Sequence, residues 1–456
     1  MPLGTIQLIF VGPQNIYLTE NPQITFFKTV YKRHTNFATD TIEEYFTGSI
    51  GFGQKVKCVL SKNGDLLSKL GMHIKLPNLN KHNTDADTSN KKCLANTKKL
   101  CSCQKCLLGD TEDKLVYGWA NAIGHVLFDY IEIWIGEQLI DRQYGEWMEI
   151  WTELTQPAEK RLGYYEMIGK RDPIAFSPES FSGEMDLYIP FNFWFCRNIG
   201  LSLPVLALTH HEIEIIIQFR PFEQCWVTNK KDAPSPVMPS SIDGTIAAEY
   251  VYLCMEERHI FYKESHMYLI EQVQLNQNNW ADNNTGRLNI ELDFIHPVKE
   301  LIWFVQRMDV LGPPDGLWEG SCNYPKGNDH FNFTTKNYPN LCPRSESFTS
   351  AKLQLNGVDR TQILSAGYFR LIQNYYHHTR VPTANNIYTY SFSLSPEDHQ
   401  PTGECNMSMV DNARLCIKLL GSSGKAYRYP TRTKIYATNY NILLITGGMG
   451  ATMFAN

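Results

Sequence analysis

An all-β fold, a sandwich or a barrel, is what this 456-residue chain predicts. Three observations predict it. Apolar and polar residues alternate in both halves. Aromatics make up 12% and come with 30 Gly and 23 Pro, so strand formers are punctuated by turn formers. Helical spacing is rare.

Taken in chain order, Val56, Cys58 and Leu60, then Met72, Ile74 and Leu76, recur at every second residue, as strands with one buried face require. Asn63-Gly64 between them tolerates positive φ and marks a turn. Gly136-Glu137 fits a two-residue hairpin joining Ile131–Ile135 to Gln138–Asp141. Over residues 145–154, Trp147, Ile150, Trp151 and Leu154 fall at helical spacing, a helix that would cover a sheet or close one end of it. Ile213, Ile215, Ile217 and Phe219 share one strand face while Glu212, Glu214 and Gln218 share the other. A second helix is expected over 256–274. Leu288, Ile290, Leu292 and Phe294 alternate with Asn289, Glu291 and Asp293. Tyr388, Tyr390, Phe392 and Leu394, then Leu415, Ile417 and Leu419, complete the series, with Asn356-Gly357 as another turn. Helices that do not alternate with strands disfavour a βαβ parallel sheet, and local pairing of antiparallel strands is expected. Residues 78–113, rich in Lys, Asn and Thr, read as a long surface loop; 232–244 and 311–343 read as Pro-bearing links.

The length suggests two domains, and a core drawn from 43% hydrophobic residues needs no disulfide or metal to hold it. Against 47 Asp+Glu, 42 Lys+Arg leave a net charge of −5, without the basic excess that neutralises a run of phosphates. No uncharged apolar stretch reaches the roughly 18 residues of a spanning helix. Residues 1–12 do not read as a secretory signal, and the 12 Cys stand in unlike contexts, so most are expected as buried thiols in a reducing compartment.

Enzyme motifs fail on spacing. Gly421-Ser422-Ser423-Gly424-Lys425 has two residues between its glycines where a phosphate loop has four, and Ala426 stands where the metal-binding hydroxyl belongs. Gly51-Phe52-Gly53 and Gly447-Gly448-Met449-Gly450 read as tight turns or close backbone approaches. His210-His211, as neighbours on a strand, would point to opposite faces and hold no metal alone; His377-His378 reads likewise. Glu43-Glu44 and Glu256-Glu257 read as solvated faces. Cysteine supplies the one sharp constellation: Cys93, Cys101, Cys103 and Cys106 could close a structural zinc site stapling a loop too polar to pack itself. Free or oxidised thiols are the competing reading. Sequons occur at Asn283, Asn332 and Asn406.

Asn21-Pro22-Gln23-Ile24-Thr25-Phe26-Phe27-Lys28 with Tyr31-Lys32-Arg33-His34-Thr35-Asn36-Phe37-Ala38 resembles the N-terminal signature of the major capsid proteins of large eukaryotic double-stranded DNA viruses. Residues 61–66 (Ser-Lys-Asn-Gly-Asp-Leu), 140–147 (Ile-Asp-Arg-Gln-Tyr-Gly-Glu-Trp), 393–403 (Ser-Leu-Ser-Pro-Glu-Asp-His-Gln-Pro-Thr-Gly) and 436–443 (Tyr-Ala-Thr-Asn-Tyr-Asn-Ile-Leu) are similar to further blocks of that family, so the resemblance spans nearly the whole chain.

The resemblance implies two tandem eight-stranded antiparallel jelly rolls with long inserted loops and a few short helices: an arm over 1–24, a first jelly roll over 25–255 and a second over 256–456. It implies a structural, non-enzymatic shell protein without a cofactor. Three chains would form a pseudo-hexagonal capsomer that tiles an icosahedral coat with its neighbours. Its partners would be itself, minor capsid and penton proteins and, through the arm with its apolar run Ile6–Val11, the membrane beneath. No sequence-specific nucleic-acid binding is expected. The location would be the virion, after assembly in the host cytoplasm. The family pattern departs most in the 78–113 insertion. A carbohydrate-binding or carbohydrate-processing jelly roll is the alternative, with 318–324 offering Trp318 and Tyr324 for stacking; a minor paralogous capsid component is another.

Overall fold

A computed structural model describes residues 23–25, 27–80, 115–171, 181–228, 234–240, 242–280, 286–311, 328–334, 346–383, 385–419 and 431–454. Among the described residues, eight strands build the sandwich of the first half: β1 (Phe37–Glu44), β2 (Lys55–Val59), β3 (Leu66–Leu76), β4 (Phe128–Ile135), β5 (Gln138–Tyr144), β6 (Met185–Pro190), β7 (Ile213–Phe219) and β8 (Asp243–Leu253). They form two four-stranded sheets of order β1-β8-β3-β6 and β2-β7-β4-β5, antiparallel throughout.

The second half repeats the plan with β9 (His266–Trp280), β10 (Arg287–Glu291), β11 (Pro297–Arg307), β12 (Phe348–Leu355), β13 (Val358–Asp359), β14 (Tyr388–Ser391), β15 (Ala413–Leu419) and β16 (Thr431–Thr446). The main paths of its sheets run β9-β16-β11-β14 and β10-β15-β12-β13. In both halves the first strand pairs with the eighth, the eighth with the third and the third with the sixth. The second, seventh, fourth and fifth form the facing sheet. Two sheets so wound are a jelly roll, and the chain is a double jelly roll.

Alternation decides which residues face the core. Ile213, Ile215, Ile217 and Phe219 are all buried on β7, and Leu415, Ile417 and Leu419 on β15. Each such side chain contributes about 1.5–3 kcal/mol on burial. The hairpin at Gly136-Glu137 joins β4 to β5, and Asn356-Gly357 turns β12 into β13 with both residues at positive φ. These are the only consecutive sandwich strands that pair among the described residues, so local pairing is the exception: the sandwich is wrapped, and most rungs join distant segments. Asn63-Gly64 is accordingly no hairpin. It sits where the chain crosses from one sheet to the other, and a Cβ on Gly64 would lie 2.5 Å from the Tyr250 Cβ.

Gly145–Thr155 is helical as expected and is named α1. The helix expected over 256–274 is only its first half, α2 (Met255–Lys263); from His266 the chain is strand, because β9 pairs with β16 along all 15 of its residues and tertiary pairing overrides local spacing. β14 stops at Ser391, where Phe392 and Ser393 both donate to Lys299 O, and Leu394 is left exposed. The insertion is pinned at its base: the Asn80 amide donates to Tyr117 O (2.8 Å) and accepts from Tyr117 N (2.9 Å). Residues 1–22, Cys93, Cys101, Cys103 and Cys106, Asn283, residues 318–324 and 421–425 lie outside the described residues.

One apolar cluster fills the first sandwich and continues through Ile270, Val273, Phe304, Tyr436 and Leu443 of the second; a separate cluster fills the second sandwich. The two jelly rolls therefore meet across a buried seam.

Candidate assembly seam between the two jelly rolls

α1 builds the seam. It begins directly after β5 at Gly145, where a Cβ would stand 2.3 Å from His125 O and 2.4 Å from Phe128 O, so only glycine lets the helix start this close to the sheet. Ten of its residues, Gly145 to Leu154, are buried. Trp147 meets Tyr436 of β16 with ring centroids 5.4 Å apart.

Beside it Glu146 is fully buried, and its Oε1 takes Arg220 Nη2 at 2.9 Å, Arg432 Nη2 at 3.2 Å and Lys434 Nζ at 3.2 Å. Burial alone would raise this carboxyl; the charges of Arg220, Lys434 and Arg432 outweigh it and hold the group well below the usual carboxylate range. Arg220 follows β7 of the first jelly roll, whereas Arg432 and Lys434 lie on β16 of the second. Arg432 Nε donates to Gln306 Oε1 (2.8 Å), and Gln306 Nε2 donates to His330 O (2.8 Å). The His330 ring, 2.8 Å from Gln224 O, is pushed down to about 3, by burial first and then by the Arg220 charge. The Asn328 amide closes the row on Glu223 O and Trp226 O, both 2.7 Å.

On the far side of α1, Glu149 takes His125 Nδ1 at 2.8 Å and the Lys170 ammonium, which also reaches Glu153 at 2.5 Å. Burial would raise the Glu149 carboxyl, but Lys170 and His125 bring it down to about 2. These pairs tie α1 to its own jelly roll, as Glu146 ties it to the other.

A second row runs along β5 and β9. Val273 N donates to Asp141 Oδ1 at 3.0 Å, and the Gln272 amide donates to Ile140 O. Gln138 and Thr452 bond reciprocally at 2.6 and 3.0 Å. Arg197 and Lys299 each hold Glu271 at 2.8 Å. Burial pushes the Asp141 carboxyl up to about 6 despite Val273 and Gln143.

At the end of this row His210 N donates to Gly448 O (2.9 Å) and His211 Nδ1 lies 3.1 Å from Gly450 O. His210-His211 thus occupies a bend before β7 rather than a strand, and it clasps the glycine turn. A Cβ on Gly448 would lie 2.2 Å from Thr209 Oγ1. His378 is buried in the second jelly roll, and Glu44 is buried too, accepting from Ser61 Oγ (2.6 Å) and Tyr250 OH (3.0 Å), a correction to the solvated reading of that pair.

Three of the stretches that carry the family resemblance reach this seam. Residues 140–147 supply Asp141, Glu146 and Trp147, and 436–443 supply Tyr436. Residues 393–403 supply Pro396, whose carbonyl accepts from Lys299 Nζ (2.6 Å), and Glu397. Residues 61–66 instead close a corner of the first jelly roll, where Asp65 Oδ2 accepts from Leu253 N (2.8 Å). Sequence reasoning missed the partners Arg220, Arg432, Lys434 and Lys170. The available signal was α1 itself, which carries Glu146, Glu149 and Glu153 among residues with an apolar period: carboxylates on several sides of a buried helix require cations.

Among the described residues no group of three or more His, Cys, Asp or Glu side chains is arranged to hold a metal. A cleft over the seam is walled by Trp151, Asn192 and Arg197 on one side and by Glu397, Asp398 and His399 on the other. The Trp151 ring carries Arg197 over it, the guanidinium carbon 4.7 Å from its centroid. Of the described cysteines, Cys58 and Cys225 are buried thiols pushed up to about 12 by burial; the other four are half-buried.

Two like-wired sandwiches that meet across a helix-on-sheet seam place the chain in the double jelly-roll class. Residues 25–254 match the family described as major capsid protein N-terminus, and residues 257–451 match large eukaryotic DNA virus major capsid protein. The chain is 32% identical over 596 aligned residues to the major capsid protein of Chrysochromulina ericina virus, covering 99% of this chain and 100% of that one. It is 35% identical over 476 residues to that of Pyramimonas orientalis virus, covering 99% of each. The structure of PBCV-1 VP54 superposes with a TM-score of 0.72 at 28% identity, over 95% of this chain and 100% of that chain. The Faustovirus major capsid protein shares the fold, with a TM-score of 0.69 at 12% identity over 93% of each chain. The chain belongs to the major capsid protein family of the large eukaryotic DNA viruses.

Proposed function

We propose that this chain is a structural major capsid protein of the virion whose trimers act as pseudo-hexagonal capsomers and tile an icosahedral shell. The observation that carries the reading is the pair of like-wired jelly rolls locked by one polar seam. Apolar contact is non-directional, whereas hydrogen bonds and ion pairs demand particular distances and angles. A seam bearing both sets the angle between the two jelly rolls, and that angle decides whether three chains make a flat six-cornered tile. Replacing a buried ion pair by apolar residues is often neutral for stability, so its role here is specificity of arrangement.

On this reading the chain performs no catalysis and is assembled in the host cytoplasm. Residues 1–24 form an arm preceding units 25–255 and 256–456, and this arm meets minor capsid proteins or the membrane beneath the shell; penton proteins are further partners and nucleic acid is not read by sequence. Cys93, Cys101, Cys103 and Cys106 hold a structural zinc in the insertion, which metal analysis of purified protein tests: about one zinc per chain supports it and none refutes it. The main experiment is a mass measurement on the purified chain. A particle of about 157 kDa, three times the 52.4 kDa chain, is expected. A monomer that turns over saccharide would support the carbohydrate reading, and low abundance in purified particles would mark a minor capsomer component.

A further inference from the structure

The helical segment 368–377, a π-helical turn Tyr368–Ile372 running into a helix Gln373–His377, lies between β13 and β14, the step of the wiring at which α1 follows β5 in the first jelly roll. It exposes Leu371, Ile372, Tyr375 and Tyr376. A second apolar face belongs to a sheet. After Thr446 the chain turns at Gly447-Gly448 and returns as β17 (Met449–Thr452), antiparallel to the end of β16. There β16 lies between β9 and β17. One rung holds Met267, Leu444 and Ala451; another holds Leu269 and Ile442, and Met453 N donates to Ile442 O at 2.8 Å. Opposed residues share a face, and every second residue returns to it, so all of these stand on one side, with Met449 opposite Thr446.

The other side, carrying Ile270, Leu443 and Ile445, is buried with the core of the first jelly roll. This side is open. Met267 is 62% exposed, Met449 52% and Met453 45%; Leu269 is exposed, and Ile442 and Leu444 are half-buried. Among the described residues none of these packs on a buried apolar cluster. No Asp, Glu, Lys or Arg occurs in 265–270 or in 435–456. Contiguous apolar surface without charge marks a contact site, and methionine adapts to an apolar partner of irregular shape.

Residues 1–22 lie outside the described residues, and their composition matches the face: 1–19 contain no charged side chain, and Ile6, Leu8, Ile9, Phe10 and Val11 make an apolar run. The chain also enters the first jelly roll at the right end. Phe37 opens β1 opposite Leu253, the last residue of β8. Phe261 of α2 packs on Leu66, Val251 and Leu253, and its carbonyl oxygen lies 2.7 Å from His266 Nε2, next to Met267. Ser265 and Thr446 meet through their hydroxyls at 2.9 Å, which fixes the start of β9 to the end of β16. Residues 12–22 alone can span roughly 36 Å when extended, so reach is no obstacle.

We infer that the apolar run 6–11 docks on this face of its own chain and covers the open side of β9-β16-β17. The inference rests on the arm of the reading above and names what holds it. Minor capsid proteins or the membrane then meet an arm laid over this end of the chain.

Methionine oxidation tests it. Peroxide converts accessible methionines to sulfoxides, read by peptide mass spectrometry, and Met255 (79% exposed) and Met409 (77%), away from the face, serve as references. In the full chain Met267, Met449 and Met453 are expected to oxidise about fivefold more slowly than the references. Ile6→Asp with Leu8→Asp and Phe10→Asp should bring them within about twofold; the milder pair Leu8→Ser with Phe10→Ser should shift them the same way. Circular dichroism checks the fold and light scattering the mass. Wild-type methionines as fast as the references would overturn the inference. So would protection that survives the triple substitution, which gives the face another occupant, or protection lost when trimers are diluted to monomers, which gives the run to a neighbouring chain. A monomeric wild type with protected methionines would overturn the trimer reading and support this inference; a trimer with unprotected ones would do the reverse.

Discussion

α1 and the segment 368–377 stand at the same step of two like-wired jelly rolls, and they are built from opposite materials. α1 places Glu146, Glu149 and Glu153 in the interior and meets each with cations. Segment 368–377 presents Leu371, Ile372, Tyr375 and Tyr376 to water. The difference matters for what it costs to cover each. The seam closes as the chain folds, so its charges are buried once, with partners fixed. Stripping water from exposed ions would cost several kcal/mol each, whereas removing apolar and tyrosine surface from water is favourable, so the face of 368–377 is the cheaper of the two to cover.

Breaking the seam tests the comparison most severely. Glu146→Ala leaves Arg220, Arg432 and Lys434 buried without their shared carboxylate, and a loss of about 3–5 kcal/mol is expected. Calorimetry should show the first and second jelly rolls melting apart; a single unshifted transition would mean the cluster does not couple them. A matched pair of isoleucines comes next. Ile150→Ala in α1, fully buried, is expected to cost the subunit about 2–5 kcal/mol. Ile372→Ala, on an exposed side chain, should leave subunit stability within about 0.5 kcal/mol. Equal losses in urea titrations would erase the distinction between the two helices.

Much of this was legible in the chain. Alternation marked β7, β10 and β15, and Trp147, Ile150, Trp151 and Leu154 marked α1, because strand and helix periods are local properties of sequence. The seam was not, since Glu146 and Arg432 lie 286 residues apart and no spacing rule joins them. Residues 267–270 misled for a related reason: Met267, Tyr268, Leu269 and Ile270 are apolar in succession, a pattern that satisfies a helix or a strand, and only the rungs to Leu444, Leu443, Ile442 and Asn441 choose. The family resemblance located the right stretches, 140–147 and 436–443, without indicating that they touch.

A pH titration sharpens the contrast within the second jelly roll. His378 is buried between Glu300 (3.1 Å) and Glu397 (3.0 Å). Burial alone would lower its pKa; the carboxylates outweigh burial and raise it from 6.5 to about 9. A raised folded value means the stabilisation is complete below pH 6.5 and is lost as pH climbs through about 9. Thermal melts of the wild type should therefore fall across that window, and those of His378→Gln should stay flatter; parallel curves would remove the imidazole from the account.

The smallest effect is expected at Arg414 and Glu291, opposed across β15 and β10 at 2.8 Å with side chains 44% and 67% exposed. Their separation nearly equals the 2.9 Å between Arg220 and Glu146, so distance cannot distinguish the two pairs and solvent is the remaining variable. Water and salt screen the exposed pair, and Arg414→Ala should cost about 0–1 kcal/mol in urea unfolding, less at high salt. A loss near that of Glu146→Ala would show that geometry, rather than burial, sets the strength of ion pairs in this fold, and the reason given for charged residues in α1 and apolar ones in 368–377 would fail with it.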